Sequence, residues 1–168
     1  MAGDATVGIG FYAVPARDDE AFLTDWKRAR LAGATLHRAL RADARFRFVS
    51  VAAGDVSGAP LYEIVHEDGA PEGAGGVVLI NPFEVPEDAD EEFVAGWNRA
   101  REALAGQHGY LGTRLHRSAG PADFRFVNVA RWSSPLMFAR AVERPEFREA
   151  AGAMRFASHP ALYTVVRD

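Results

Sequence analysis

The chain has 168 residues, of which 48% are hydrophobic and 25% charged, and it contains no cysteine. This balance predicts a well-buried core and argues against a disordered chain. The lack of cysteine excludes disulfides, thiolate nucleophiles and cysteine-ligated metals, and it suits a cytoplasmic protein. The formal net charge of -4 offers no basic surface to a nucleic acid, and no run of about 18 apolar residues could span a membrane.

The first half of the sequence predicts a strand, a helix and three further strands. An apolar stretch starts at Val7 and reaches Val14-Pro15, and an acidic patch then leads into a helix that carries Phe22 and Trp26 on one face. Residues 34–52 and 61–65 supply the three later strands.

The second half predicts the same order of elements after a linker at residues 69–76, GAPEGAGG. Val77, Leu79, Asn81 and Phe83 alternate with other apolar residues, which is typical of a strand buried on both faces. A carboxylate-rich turn then starts a helix that ends near Gln107. Later strands are predicted at residues 110–116, 124–132 and 162–167.

An insert at residues 133–159 distinguishes the second half from the first. Ser134 precedes Pro135, which is a favourable start for a helix. Pro145 should break the insert into two helical pieces.

Matching blocks indicate that the halves are unequal copies of one unit. Both contain Val-Pro followed by Phe-x-x-x-Trp, then Leu-His-Arg, Phe-Arg-Phe-Val and Leu-Tyr, in the same order. We therefore predict a degenerate first repeat at residues 1–68, a linker at 69–76 and a second repeat at 77–168 that carries the site. A small sheet with one open face is unstable alone, so the copies should pack into one intramolecular α+β barrel.

Three polar or aromatic residues of the second half are candidates for chemistry. Asn128 and Trp132 are four residues apart on one strand and project from the same face. Asn81 is a second amide in an otherwise apolar strand. The structural alternatives are a strand-end Asn128 with Trp132 as core, and an Asn-Pro turn at Asn81 and Pro82.

The stretch GYLGTRLHRSAGPADFRFVNVARWSSPLMFARAVERPEF, residues 109–147, resembles the antibiotic biosynthesis monooxygenase family. The resemblance covers most of residues 77–168, and the first copy resembles a more divergent member. It implies two ferredoxin-like half-barrels forming a dimeric α/β-barrel-type fold. In quinone-forming members an Asn on the first strand and an Asn–Trp pair on the third line the pocket, and Asn81, Asn128 and Trp132 fall on those positions.

This resemblance implies oxidation of an aromatic polyketide, of anthrone or naphthol type, to a quinone. The chemistry needs no flavin and no metal, with molecular oxygen as co-substrate; reduced flavin from a partner reductase is an open alternative. We expect Tyr110, Phe126, Phe138 and His116 to contact the substrate, and Phe138 stands where some quinone-forming members have a tyrosine. A surface strand histidine is the alternative for His116, because His37 matches it in the first copy.

Other readings of the same pocket remain open. Heme-degrading relatives carry a histidine beyond the tryptophan, whereas residues 133–158 contain none, so we do not expect heme degradation. A polyketide cyclase and a non-catalytic aromatic-binding barrel are the alternative functions. The first copy has Gly10, Ser50 and Gly54 at the site positions and is predicted to be scaffold. The protein should be a monomer with an internal pseudo-dimer, or a homodimer of it.

Overall fold

A computed structural model describes residues 6–73 and 75–167. Residues 1–5, Ala74 and Asp168, which belong to the predicted first repeat, linker and second repeat, lie outside the described residues. The first half contains β1 (Thr6–Tyr12), α1 (Asp19–Ala29), β2 (Ala34–Ala39), β3 (Phe48–Ala53) and β4 (Leu61–Gly69). The second half contains β5 (Val77–Glu84), α2 (Asp90–Ala105), β6 (Tyr110–Ser118), β7 (Phe126–Trp132), α3 (Pro135–Val142), α4 (Pro145–Ala153), β8 (Ala157–Ser158) and β9 (Ala161–Val165).

The strands of the described chain form one nine-stranded sheet in the order β7-β6-β4-β1-β3-β2-β9-β5-β8. An additional pairing of β7 with β5 closes this sheet into a barrel, with the short β8 beside β9 on the edge of β5. The two halves meet where β4 pairs with β6 and where β2 pairs with β9. The predicted α+β barrel of ferredoxin-like units is therefore confirmed.

The barrel interior is filled from both halves by alternate residues of the strands. Ile9, Val49, Ile80 and Val127 are fully buried there. Two matched tyrosines tie the halves together: the Tyr62 hydroxyl donates to the Phe124 carbonyl at 2.8 Å, and the Tyr163 hydroxyl donates to the Phe46 carbonyl at 2.9 Å. Each half thus donates one hydrogen bond into the other.

Helices cover the outer face of the second-half sheet. The buried face of α2 carries Phe93, Trp97 and Ala100, as the apolar spacing predicts. The Ser134 hydroxyl accepts a hydrogen bond from the Met137 amide at 3.2 Å and so caps α3. Residues 143–144 separate α3 from α4, as expected at Pro145. In contrast, α1 has no buried residue.

The helices within the described residues include none that is both long and apolar enough to cross a membrane.

Candidate functional site

A cavity of about 470 Å³ lies between the second-half sheet and its helices, a size within the usual range for small-molecule sites. Its floor is formed by β5, β6 and β7, and its walls by α2, α3, α4 and the segment leading into β9. The lining residues are Leu79, Asn81, Phe83, Trp97, Ala100, Arg101, Leu104, Tyr110, Thr113, Asn128, Ala130, Trp132, Phe138, Val142, Phe147, Ala151, Met154, Phe156, Ser158, Pro160, Ala161 and Leu162. The cavity is thus mostly apolar and lies outside the barrel.

Asn81 and Asn128 are direct partners on the neighbouring strands β5 and β7. Their side chains therefore project from the same face of the sheet, into the cavity. Asn81 and Pro82 stay paired with β7 instead of making a turn, and Asn128 lies in mid-strand. The part of the alternative that made Trp132 a core residue is confirmed, because Trp132 is fully buried.

A proline positions the Asn81 side chain. Pro82 has no amide hydrogen to donate to a neighbouring strand, and β5 changes partner from β9 to β8 at this point. The His159 amide in the gap between β8 and β9 donates to Asn81 Oδ1 at 3.2 Å and to the Pro82 carbonyl at 3.1 Å. Because a backbone N–H can only donate, this contact fixes which end of the amide is oxygen.

The second amide is held by a side chain. The Thr113 hydroxyl shares its single hydrogen between Asn128 Oδ1 at 2.6 Å and the Val129 carbonyl at 3.2 Å. With both amide oxygens engaged by the protein, the NH₂ groups of Asn81 and Asn128 remain as donors. Both residues are half-buried, so a bound molecule can reach them.

Trp132 borders the cavity but is 0% exposed. The rings of Tyr110 and Phe138 pack edge-on to the indole with centroids 5.4 and 5.5 Å away. Its Nε1 is buried and has no hydrogen-bond acceptor among the described residues. Because the residue is fully buried, a substrate oxygen would reach this donor only after a neighbouring group moves.

A polar cluster backs the cavity wall at Tyr110 and Arg101. The Tyr110 hydroxyl donates to Asp68 Oδ1 at 2.5 Å, and Arg101 Nη1 donates to Asp68 Oδ2 at 3.1 Å. His66 Nε2 lies 2.8 Å from the same carboxylate. Burial works against the Asp68 charge, but the hydrogen bonds from Tyr110 and His66 and the Arg101 charge outweigh it and lower the pKa of Asp68. Burial, reinforced by Asp68, raises the pKa of Tyr110, so its hydroxyl stays protonated.

Two of the expected substrate contacts lie away from the cavity. Phe126 is buried beneath α2, stacked on Phe93 at 4.3 Å. His116 is paired with Val127 of the barrel core and lies on the opposite face of β6 from Thr113, because successive strand residues alternate in direction. Tyr110 and Phe138 do line the cavity.

Neither His116 nor its counterpart is the surface histidine offered as an alternative. His116 Nδ1 lies 3.1 Å from the Val127 carbonyl, and His37 Nδ1 lies 3.2 Å from the Val49 carbonyl. Burial lowers the pKa of each imidazole to about 4, although these hydrogen bonds oppose the shift. Both rings are therefore neutral at pH 7, with the proton on Nδ1.

The corresponding place in the first half is filled by a side chain. Gly10 is paired with Ser50 on β1 and β3, as Asn81 is with Asn128. The Tyr12 hydroxyl lies over Gly10, 2.5 Å from where a Cβ would stand, and 3.1 Å from the Ser50 hydroxyl. Tyr12 therefore occupies the space that is cavity in the second half.

The sequence interpretation missed Arg101, Thr113 and Asp68. A signal for Arg101 was available, because it lies four residues after Trp97 and three before Leu104 on the apolar face of a helix. Asp68 carried no such signal, because its partners come from other segments of the chain.

The fold and the cavity define a class of protein: an α+β barrel of ferredoxin-like units with a largely apolar pocket between sheet and helices. The antibiotic biosynthesis monooxygenase family model matches residues 76–153. A candidate monooxygenase from Shewanella loihica PV-4 is 40% identical, with 57% of this chain and 100% of that chain covered and a TM-score of 0.50. The chain belongs to the antibiotic biosynthesis monooxygenase family.

Two further solved structures are similar to the chain, one in sequence and fold and one in fold alone. SnoaB from Streptomyces nogalater, a cofactor-independent oxygenase, is 31% identical, with 56% of this chain and 97% of that chain covered and a TM-score of 0.50. A ferredoxin-fold protein from Listeria monocytogenes, related to antibiotic biosynthesis monooxygenases, shares the fold over 99% of this chain and 96% of its own, with 16% identity and a TM-score of 0.66. No curated protein matches the chain.

Proposed function

We propose that the protein is a cofactor-independent monooxygenase that oxidises an aromatic polyketide of anthrone or naphthol type to a quinone. The observation that carries this proposal is the pair of amides, Asn81 and Asn128, whose oxygens are held by the protein on the floor of an apolar cavity. Trp132 lines the same cavity, and its indole N–H has no acceptor among the described residues. The similarity to SnoaB, itself a cofactor-independent oxygenase, supports it.

The proposed reaction converts a ring CH₂ group and O₂ into a ring carbonyl and water. A deprotonated, electron-rich substrate passes one electron to O₂, the two radicals combine, and the resulting hydroperoxide loses water. The protein has to hold the flat substrate, exclude water and stabilise the developing oxyanions. The amide donors of Asn81 and Asn128 suit the last task, and Trp132, Phe138 and Tyr110 provide aromatic walls.

The test is O₂ uptake with a hydroxyanthrone in flavin-free buffer that contains a metal chelator. Asn128→Ala should lower kcat by about a hundredfold, as expected when one oxyanion donor is removed, and Asn128→Ala with Trp132→Phe should lower it further. Ser50→Ala changes the matched first-half position and should leave kcat unchanged. Unchanged turnover in the double variant would contradict the assignment.

The same experiment separates the rival functions. Product formation under strict anaerobiosis would identify a cyclase, because no oxygen atom is then consumed. Tight binding of an intact, unaltered aromatic ligand would identify a binding protein. A requirement for added reduced flavin would overturn the cofactor-independent proposal.

A further inference from the structure

Arg101 is a charged residue in an otherwise apolar wall. It lines the cavity from α2 between Trp97 and Leu104, and its side chain is 20% exposed. A guanidinium withdrawn from water to this degree is costly unless its donors are matched by acceptors.

Asp68 satisfies one end of this guanidinium from the other half of the chain. The ion pair joins Arg101 Nη1 to Asp68 Oδ2 at 3.1 Å, and Asp68 is itself held by Tyr110 and His66. The guanidinium is thus anchored by a carboxylate at the end of β4, which does not line the cavity.

One nitrogen of the guanidinium lacks an acceptor in the part of the chain that the structure describes. Arg101 Nε is buried and has no hydrogen-bond partner among the described residues. Nε and the adjacent Nη form the side-on edge of arginine, which matches the two oxygens of a carboxylate. A ligand in the cavity would supply this acceptor once a neighbouring side chain moves aside, because Nε itself is buried.

We propose that Arg101 binds a carboxylate group carried by the aromatic substrate, so that the cavity selects aromatic acids over neutral molecules of the same shape. This inference deepens the proposed function and rests on it only in placing the substrate in the same cavity. It also gives the first half a part in the site, because Asp68 holds the arginine in place.

The test compares two tricyclic probes of similar shape, 9-anthracenecarboxylate and 9-anthracenemethanol, by fluorescence titration at pH 7.5. The full-length protein should bind the carboxylate at least about tenfold more tightly than the alcohol, the least expected of one charge-assisted bidentate contact. Arg101→Gln should abolish the preference while leaving the affinity for the alcohol unchanged. Arg101→Lys keeps the positive charge but cannot make the two-point contact of a guanidinium with a carboxylate, so it should keep part of the preference.

Arg30→Gln is the matched control, because Arg30 holds the aligned position at the end of α1 and is exposed. Its probe preference should equal that of the unaltered protein. Equal binding of the two probes, binding of neither, or an unchanged preference in Arg101→Gln would overturn the proposal. If Arg101→Gln binds neither probe, Arg101→Lys decides, and its failure to prefer the carboxylate would also overturn it.

The result is independent of turnover, because the binding assay requires no oxidation of either probe. A carboxylate preference without O₂ uptake on any anthrone would contradict the proposed oxygenase function but support carboxylate binding by Arg101. O₂ uptake without a carboxylate preference would contradict carboxylate binding by Arg101 but support the proposed oxygenase function.

Discussion

The two cavity amides show how a single backbone defect can orient a functional side chain. Pro82 stays in register with β7 but lies where the other edge of β5 changes partner from β9 to β8, and there the His159 amide donates to the Asn81 side chain and the Pro82 carbonyl. Asn128 lies opposite Asn81 and is oriented by Thr113 instead. A backbone N–H orients one amide and a hydroxyl orients the other, so that adjacent strands present the same chemical group, an amide NH₂.

The buried histidines predict a loss of stability in mild acid. The pKa of each imidazole is lowered to about 4 in the folded protein. Between about pH 6.5 and 4 these histidines are therefore protonated in the unfolded chain but neutral in the folded one. The free energy of unfolding should therefore fall between pH 6.5 and 4, by up to roughly 3 kcal/mol for each histidine. Urea unfolding at pH 7.5 and 4.5 measures this.

His116→Gln should lose less free energy of unfolding than the unaltered protein over that pH interval. His108 is exposed, so His108→Gln should keep the full pH dependence. An equal loss in the His116→Gln variant and the unaltered protein would show that the buried imidazole is not responsible.

At the scale of elements, the helical insert is what creates the cavity. α3 begins at the Ser134 cap and brings Phe138 against Trp132, and α4 packs beside α2. The turn between α2 and β6 must also pass close beneath α3. Gly109 in this turn has a φ of 91°, a conformation that glycine adopts without strain.

Gly109→Ala should destabilise the protein by about 2 kcal/mol or more. The substitution strains a left-handed backbone position and places a Cβ into Met137 of α3. Because Met137 adjoins Phe138, the variant should also weaken binding of aromatic probes. Urea unfolding and fluorescence titration check the two effects.

Gly106→Ala is the matched control three residues earlier. Gly106 has a φ of −90° and no atom within 4 Å of an added Cβ, so this variant should be as stable as the unaltered protein or slightly more stable. Equal stability of the two alanine variants would contradict the role assigned to the turn.

At the scale of the whole molecule, the halves are joined by two equivalent seams. In each seam the strand that follows the helix of one half pairs with the last long strand of the other half: β6 with β4, and β2 with β9. The reciprocal hydrogen bonds of Tyr62 and Tyr163 reinforce these seams. The half that carries the cavity therefore depends on its neighbour for both of its edges.

Residues 75–168 expressed alone should form a homodimer instead of a monomer. Without the first half, β6 and β9 are open edges, and open edges tend to pair with another chain. Since the two seams are equivalent, β6 of one copy can pair with β9 of another in a closed symmetric assembly. Light scattering after size exclusion measures the mass, and a stable monomer would contradict this view of the seams.

Much of the architecture was predictable from repetition and alternation. The matching blocks predicted the element order in both halves, the period-two pattern placed Asn128 and Trp132 on one face of their strand, and the register of β5 with β7 put Asn81 beside them. His116 was instead expected to contact the substrate, and only the structure placed it on the other face of β6, opposite the cavity. Local patterns report direction well, because side-chain direction follows from the residue's own backbone.

What the sequence by itself determined is therefore the main helices and strands, the faces of individual strands and the family, because these depend on local periodicity and on motifs, whereas the short β8 inside the predicted helical insert was not foreseen. Only the tertiary structure decided that Asp68 of the first half holds Arg101, that Tyr12 fills the first-half pocket, and that the indole of Trp132 is closed off by its neighbours. These facts depend on packing between segments that are distant in the chain, and no local pattern encodes such distances.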